Sequence, residues 1–201
     1  MTLKAPDYMD KSIEIIRSNA LDGYFTEDKT STDTSNIRFE IIREHKITQL
    51  VVWPDTIDVF QNHIASLPIS GDFMKPGKVS ELNHAKLVRI EPLKWWALDN
   101  YQEEFNTISE QIALPLDLSH SWVQLKITGL HATRILSHHI PVDLREKQFP
   151  VGNLVTTSMH HVGVKLCRNH GDWRFFIPRS FSVSLWQMLC DTAQQYGYNK
   201  E

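Results

Sequence analysis

The chain repeats itself, and that limits the possible folds more than any single motif does. Gln49-Leu50-Val51-Val52 matches Gln124-Leu125-Lys126-Ile127 at an offset of 75 residues. A turn-forming pair follows each run, Pro54-Asp55 and then Gly129-Leu130. A helical pattern comes next in both copies, and His63 falls opposite His138. Lys86 to Ile90 with Lys94 to Leu98 corresponds to Val162 to Leu166 with Trp173 to Ile177, so each copy reads as a hairpin of two strands. A closing helix ends each unit, Asn100 to Ile112 and Ser180 to Ala193. The sequence therefore predicts two strand–helix–strand–strand–helix units, each sheet needing its helices to cover one face.

Local patterns place the elements. Ile37, Phe39 and Ile41 alternate with Arg38 and Glu40, as in a half-buried strand. Ile47 to Trp53 is more apolar, so it reads as a central strand. Pro54 and Asp55 suit the first turn of a helix whose inward face is Ile57, Phe60 and Ile64. A second helix is expected from Leu130 to His139, stopped by Pro141. Residues 1–36 form an N-terminal arm whose Thr26 to Asn36 run is polar, with nothing to bury, and reads as loop or partly disordered link. Structure is expected to begin at Ile37, with a first subdomain over 37–113 and a second over 114–197.

Composition narrows the classes of function. The 201 residues are 41% hydrophobic with six Trp, enough for a buried core, and the net charge of −3 gives no reason to expect nucleic acid or an acidic membrane as partner. No apolar run approaches the roughly 20 residues of a membrane helix. Met1 to Asp10 lacks the layout of a signal peptide, so a cytoplasmic location is expected. Cys167 and Cys190 have apolar neighbours and no metal or redox spacing, and read as buried reduced thiols.

Candidate chemistry is sparse. His138-His139 and His160-His161 are adjacent pairs, but a transition metal needs three or four ligands converging on one point. Read as strand neighbours, His160 and His161 face opposite ways. Asp117, Ser119 and His120 have the residue types of a hydrolase triad without the nucleophile-elbow motif, and turn formation ahead of a strand explains them. Gly is scarce and no phosphate-binding Gly-rich loop occurs. Trp95 and Trp96 must point to opposite faces of their strand, leaving one ring for the core and the other for a covering helix or a contact surface. Arg145, Arg168, Arg174 and Arg179 flank the second unit, and Arg179 sits at a strand-to-helix junction, where it could pair with a carboxylate of another chain.

Several spaced motifs in order carry a family resemblance. Arg89-Ile90-Glu91-Pro92-Leu93-Lys94-Trp95-Trp96, Asp117-Leu118-Ser119-His120 and Pro141-Val142-Asp143-Leu144-Arg145 are three of them. Gly129-x-x-Ala132-x-x-Ile135-Leu136, His160-His161-Val162-Gly163-Val164, Phe176-Ile177-Pro178-Arg179-Ser180-Phe181 and Ser184-Leu185-Trp186 complete the set. Together they resemble the gamma subunit of heterotetrameric sarcosine oxidase, which is similar in turn to the folate-binding domain of glycine-cleavage aminomethyltransferases. The resemblance implies an α+β fold of two duplicated β-α-β-β-α subdomains with exchanged edge strands. It implies alpha, beta and delta subunits as partners, with FAD, FMN, NAD and tetrahydrofolate held by them and no cofactor, metal or catalytic residue on this chain. Sarcosine would be demethylated to glycine, with formaldehyde or methylenetetrahydrofolate and hydrogen peroxide as the other products. The transferases carry an acid in the second hairpin; here no Asp or Glu occurs between Glu146 and Asp172, so the implied role is structural. Trp95, Trp96, His160, His161 and Arg179 are the expected subunit contacts. A stand-alone folate-binding or one-carbon-transfer protein, and a small metal-dependent enzyme using the histidines, are the other readings.

Overall fold

The computed structural model describes residues 18–25, 36–100, 105 and 108–201. Two sheets lie face to face, one antiparallel throughout and the other with a single parallel pair, β1 (Ile37–Ile42) with β11 (Tyr198–Lys200), and helices lie on the outer sides. The six-stranded sheet has the order β11-β1-β7-β10-β9-β8 and the five-stranded sheet β3-β4-β5-β2-β6. The strands are β1 Ile37–Ile42, β2 Ile47–Val52, β3 Val79–Leu82, β4 Ala85–Glu91, β5 Lys94–Leu98 and β6 Ala113–Asp117. They continue as β7 Trp122–Thr128, β8 Asn153–Met159, β9 Val162–Arg168, β10 Trp173–Pro178 and β11 Tyr198–Lys200. The helices are α1 Ile57–Ala65, α2 Ala132–His139 and α3 Ser182–Ala193.

The repeat is real in three dimensions, but its hairpins align one residue away from the sequence match: Val88 and Trp96 take the places of Lys165 and Phe176, not of Val164 and Phe175, which face the helices instead. β2, α1, β4 and β5 of the first copy correspond to β7, α2, β9 and β10 of the second. β2 pairs antiparallel with β5, placing Gln49 beside Trp96, and β7 pairs antiparallel with β10, placing Gln124 beside Phe176. The strand ahead of each copy crosses reciprocally into the sheet of the other copy. β1 precedes β2 in the chain yet pairs with β7, while β6 precedes β7 and pairs with β2. Each sheet is thereby built from both copies, which ties the two units together by backbone hydrogen bonds as well as packing.

Three apolar clusters fill the layers. Leu50, Phe60, Ile64, Trp95 and Phe105 close the space between the five-stranded sheet and α1. Phe39, Leu125, Ile135, Leu136, Phe175, Trp186 and Leu189 do the same beneath α2 and α3. Between the sheets, Ile47, Val88, Trp96, Leu154, Cys167 and Phe176 form the third cluster. Alternation explains the division: Trp95 and Phe175 point to the helices, and their sequence neighbours Trp96 and Phe176 point to the opposite sheet.

Several expectations need correction. Chain order begins before Ile37: residues 18–25 include a 3-10 turn at Asp22–Tyr24, and Leu21 and Phe25 are buried, with the Phe25 ring 4.6 Å from that of Trp186. Residues 1–17 and 26–35 lie outside the described residues, as do 101–104, 106 and 107 of the helix expected from Asn100 to Ile112; its end is not helical, since Ile108 to Ile112 run as bend and turn into β6, although Phe105 and Ile108 are buried. β3, β6, β8 and β11 were not expected as strands, β11 lying beyond the expected end of the second subdomain at 197. His160 and His161 are not in a strand: they form the tight turn between β8 and β9, with φ of 46° and 68°. α1 and α3 each start a turn late, after 3-10 segments at Pro54–Thr56 and Arg179–Phe181.

Candidate functional site

The inter-sheet layer is where the two copies differ chemically. Trp96 stands at its centre, fully enclosed, with its Nε1 donating to Gln49 Oε1 at 3.2 Å. The Trp122 ring meets it edge-on at 4.9 Å between centroids and Phe176 at 5.7 Å. Lys165 enters this aromatic setting from β9. Its Nζ lies 4.2 Å from the centre of the Trp96 ring and 4.1 Å from that of Trp122, and the residue is only 7% exposed. Burial pushes the Lys165 amine down to about 8; nearby Glu91 pulls it up and Lys94 pushes it down. Those two are themselves paired at 2.7 Å, so Glu91 does little for the amine. The sequence offered one sign of this residue: a lone lysine within the apolar run Val164 to Cys167.

The Asp-x-Ser-His element is a structural latch at the edge of the same layer. Asp117 Oδ1 accepts from the Ser119 backbone N–H at 2.9 Å and from its hydroxyl at 2.6 Å. Ser119 Oγ in turn accepts from the Ile47 N–H at 3.0 Å, and Lys46 Nζ reaches Asp117 Oδ2 at 3.3 Å. Partial burial alone would raise the Asp117 carboxyl, but the bonds from Ser119 and Lys46 outweigh it and hold the group at about 2. His45, at the position equivalent to His120, faces carbonyl oxygens with both ring nitrogens: Ile42 at 2.8 Å from Nδ1 and Ser119 at 2.9 Å from Nε2. Ser119 is thus committed to turn and strand bonds and has no histidine activating its hydroxyl. His120 is exposed beside it, in a recess of about 90 Å³ that Arg43, His45 and Arg179 also line.

The expected contact residues fall into two groups. Trp95 and Trp96 are both at zero exposure, so neither ring offers a surface to another chain. Trp95 packs on Phe60 at 4.8 Å and donates from Nε1 to the Phe73 carbonyl at 2.9 Å. His160, His161 and Arg179 are exposed. Arg179 Nη2 donates to the Ser18 carbonyl at 2.9 Å, so its first engagement is with the chain's own N-terminal region. Arg145 is paired with Asp143, Arg174 with Asp172 at 3.0 Å, and Arg168 donates to the Leu144 and Phe149 carbonyls.

The histidines are spread out. His139 is half-buried, its Nε2 2.7 Å from Thr192 Oγ1 and its ring 5.8 Å from that of His160. Burial lowers its pKa, as do His160 and His138 nearby. Among the described residues no three His, Cys, Asp or Glu side chains converge as metal ligands. Cys167 is buried and pushed up to about 12 by that burial, an inert thiol; Cys190 is half-buried.

A folate or flavin ring system would need an apolar slot. The middle of the inter-sheet layer holds side chains instead. Crevices of about 470 and 40 Å³ open at one end of the layer, where Lys86, Asp172 and Arg174 put charge at the mouth. The residues present do not fit such a group at the centre of the fold. Among the described residues no helix is long and apolar enough to cross a membrane.

The sequence matches no family model and no curated protein. Among solved structures, it is similar to a chain of the heterotetrameric sarcosine oxidase from Corynebacterium sp. U-96 in complex with pyrrole 2-carboxylate. The TM-score is 0.75 at 18% identity, over 90% of this chain and 96% of that one. It is also similar to the glycine cleavage system aminomethyltransferase T from Bartonella henselae, with a TM-score of 0.54 at 14% identity. That match covers 77% of this chain but 45% of the transferase, so the chain spans less than half of that protein. At these identities the likeness is one of architecture: the chain has the strand-exchanged α+β fold found in a chain of heterotetrameric sarcosine oxidase and in part of the glycine-cleavage aminomethyltransferase.

Proposed function

We propose that this chain is the gamma-type structural subunit of a heterotetrameric, flavin-dependent sarcosine oxidase, supporting alpha, beta and delta partners that hold FAD, FMN, NAD and tetrahydrofolate. The observation that carries this reading is the extent of the match to one chain of such a complex, nearly end to end on both sides. The site chemistry agrees with a supporting role. The second hairpin, where the related transferases place an acid, turns on His160 and His161 and continues into a strand without a carboxylate. Of the triad-like residues, Asp117 and Ser119 are consumed in a latch, and His120 stands exposed beside it. Exposed apolar side chains remain for docking, among them Leu130 at 82% and Phe181 at 49%.

Co-expression with the large flavin subunits tests this directly. The expected result is co-purification in a defined stoichiometry, with poor behaviour of the chain when it is produced alone. A stable monodisperse monomer that ignores those subunits would overturn the reading. Saturable tetrahydrofolate quenching of tryptophan fluorescence in the lone chain would replace it with the folate-binding one.

A further inference from the structure

Lys165 has chemistry that the supporting role does not use. A lysine ammonium carries three N–H donors and is ordinarily well hydrated. Here it sits between the Trp96 and Trp122 rings, and among the described residues no hydrogen bond or ion pair reaches it. The register shows that the fold does not require an amine there. Lys165 lies opposite Phe176 as Val88 lies opposite Trp96 in the other copy, so the equivalent position is a hydrocarbon.

We propose that Lys165 is a reactive-amine site that condenses reversibly with a small aldehyde. The nitrogen lone pair adds to the carbonyl carbon, the carbonyl oxygen takes the proton released from the ammonium, and loss of water leaves an iminium cation. Atoms and charge balance: ammonium and aldehyde in, iminium and one water out. The surroundings favour this product over the starting ammonium in two ways. The iminium has one N–H in place of three, so it asks less of the little solvent that reaches the nitrogen. It remains a cation, so both indole faces still attract it. Desolvation also makes the free base available near neutral pH, which is how buried lysines become nucleophiles. With 7% of the residue open, access is limited to small carbonyl compounds. The inference concerns this chain's own residues and does not depend on the proposed assembly.

The test is reductive alkylation of the native full-length chain with formaldehyde and cyanoborohydride at pH 7, read by peptide mass spectrometry. Cyanoborohydride supplies the hydride that converts iminium to N-methyl-lysine. Lys165 is expected to label about tenfold faster than the exposed Lys75 and Lys147, since its larger free-base fraction is partly offset by lower basicity and shielding. The preference should vanish in denaturant, and pyridoxal phosphate, too large to enter, should leave Lys165 unlabelled. Lys165→Arg keeps the cation and should abolish only that labelled peptide. Equal or slower labelling of Lys165 in the native chain, with Lys75 and Lys147 reacting normally, would overturn the proposal.

Discussion

The two copies place the same backbone at the centre of the molecule and fill it differently. In the first copy the inter-sheet positions are Val88 and Trp96; in the second they are Lys165 and Phe176. Gln49 and Gln124 occupy the same place on the central strand of each sheet. The first copy supplies the larger ring, and the second supplies the amine that rests on it. Hydrocarbon is sufficient for the fold at this position, as Val88 shows, so the lysine is an addition to the architecture rather than a condition of it. If so, removing the ring should damage the fold, and removing the amine should not.

Trp96→Ala is therefore expected to have the largest effect. It empties the centre of the inter-sheet cluster and leaves Gln49, Trp122, Phe176 and Lys165 without their shared neighbour. Truncation of a fully buried Trp should cost about 3–5 kcal/mol in denaturant unfolding. Phe181→Ala, at a half-exposed ring, should cost well under 1 kcal/mol. Equal costs for the two would break the packing account of the layer.

Helix starts give a second contrast between the copies. The first uses Pro54, and the second uses Gly129 at the equivalent step. The reason lies in the exchanged strand: the Asn36 carbonyl just before β1 comes so close that a Cβ on Gly129 would sit 2.2 Å from it, and φ at Gly129 is +107°. Gly129→Ala should cost about 1–3 kcal/mol and loosen β1 from β7, seen as faster amide exchange in β1. An unchanged melting curve and exchange pattern would mean that the strand does not hold this position.

Much of this was legible in the residues. Alternation at Ile37, Phe39 and Ile41, the inward face of Phe60 and Ile64, and the opposed directions of Trp95 and Trp96 all follow from periodicity. Periodicity failed where its signal is short or absent. β6, Ala113–Asp117, contains Pro115 and sits at a sheet edge, where it reads as loop until β2 provides its partner. The His160-His161 turn lacks the Gly or Asn that usually marks two left-handed residues in succession, so its sequence reads as strand. The strand exchange, which no local pattern encodes, entered through family resemblance. Lys165 does not stand out in the sequence, because a lysine inside an apolar run only becomes informative when the register shows it opposite Phe176 as Val88 is opposite Trp96.

Lys165→Met makes the two copies chemically alike. The folded state holds the amine at about 8, below its ordinary 10.5, so folding opposes its charge. That cost is fully present below pH 8 and fades as the pH rises towards 10.5, where the unfolded chain also loses the proton. The variant should be more stable than the parent at pH 7 by about 1–2 kcal/mol, after allowance for screening and the lost cation–π contacts. The parent should close that gap between pH 8 and 10.5. A variant less stable at pH 7 would show that the ammonium holds the sheets together.

The smallest expected effect separates the two crossing turns. After β6, Asp117, Ser119 and Lys46 form the latch on β2; after β1, the equivalent positions Ile42 and Glu44 carry no such acid–hydroxyl pair, and the His45 ring bridges to the Ser119 carbonyl instead. A carboxyl held at about 2 rather than its ordinary 3.8 contributes stability that is present above pH 4 and lost as the pH falls towards 2. The side chain is half exposed, so solvent screening limits the contribution to about 1 kcal/mol. Asp117→Asn should therefore lower stability by about that much at pH 5, and the difference from the parent should shrink as both are taken to pH 2. Urea midpoints across that range give the comparison. A gap that stays constant with pH would assign the loss to altered turn geometry at Ser119, and the acid would then have no part in fastening the second crossing.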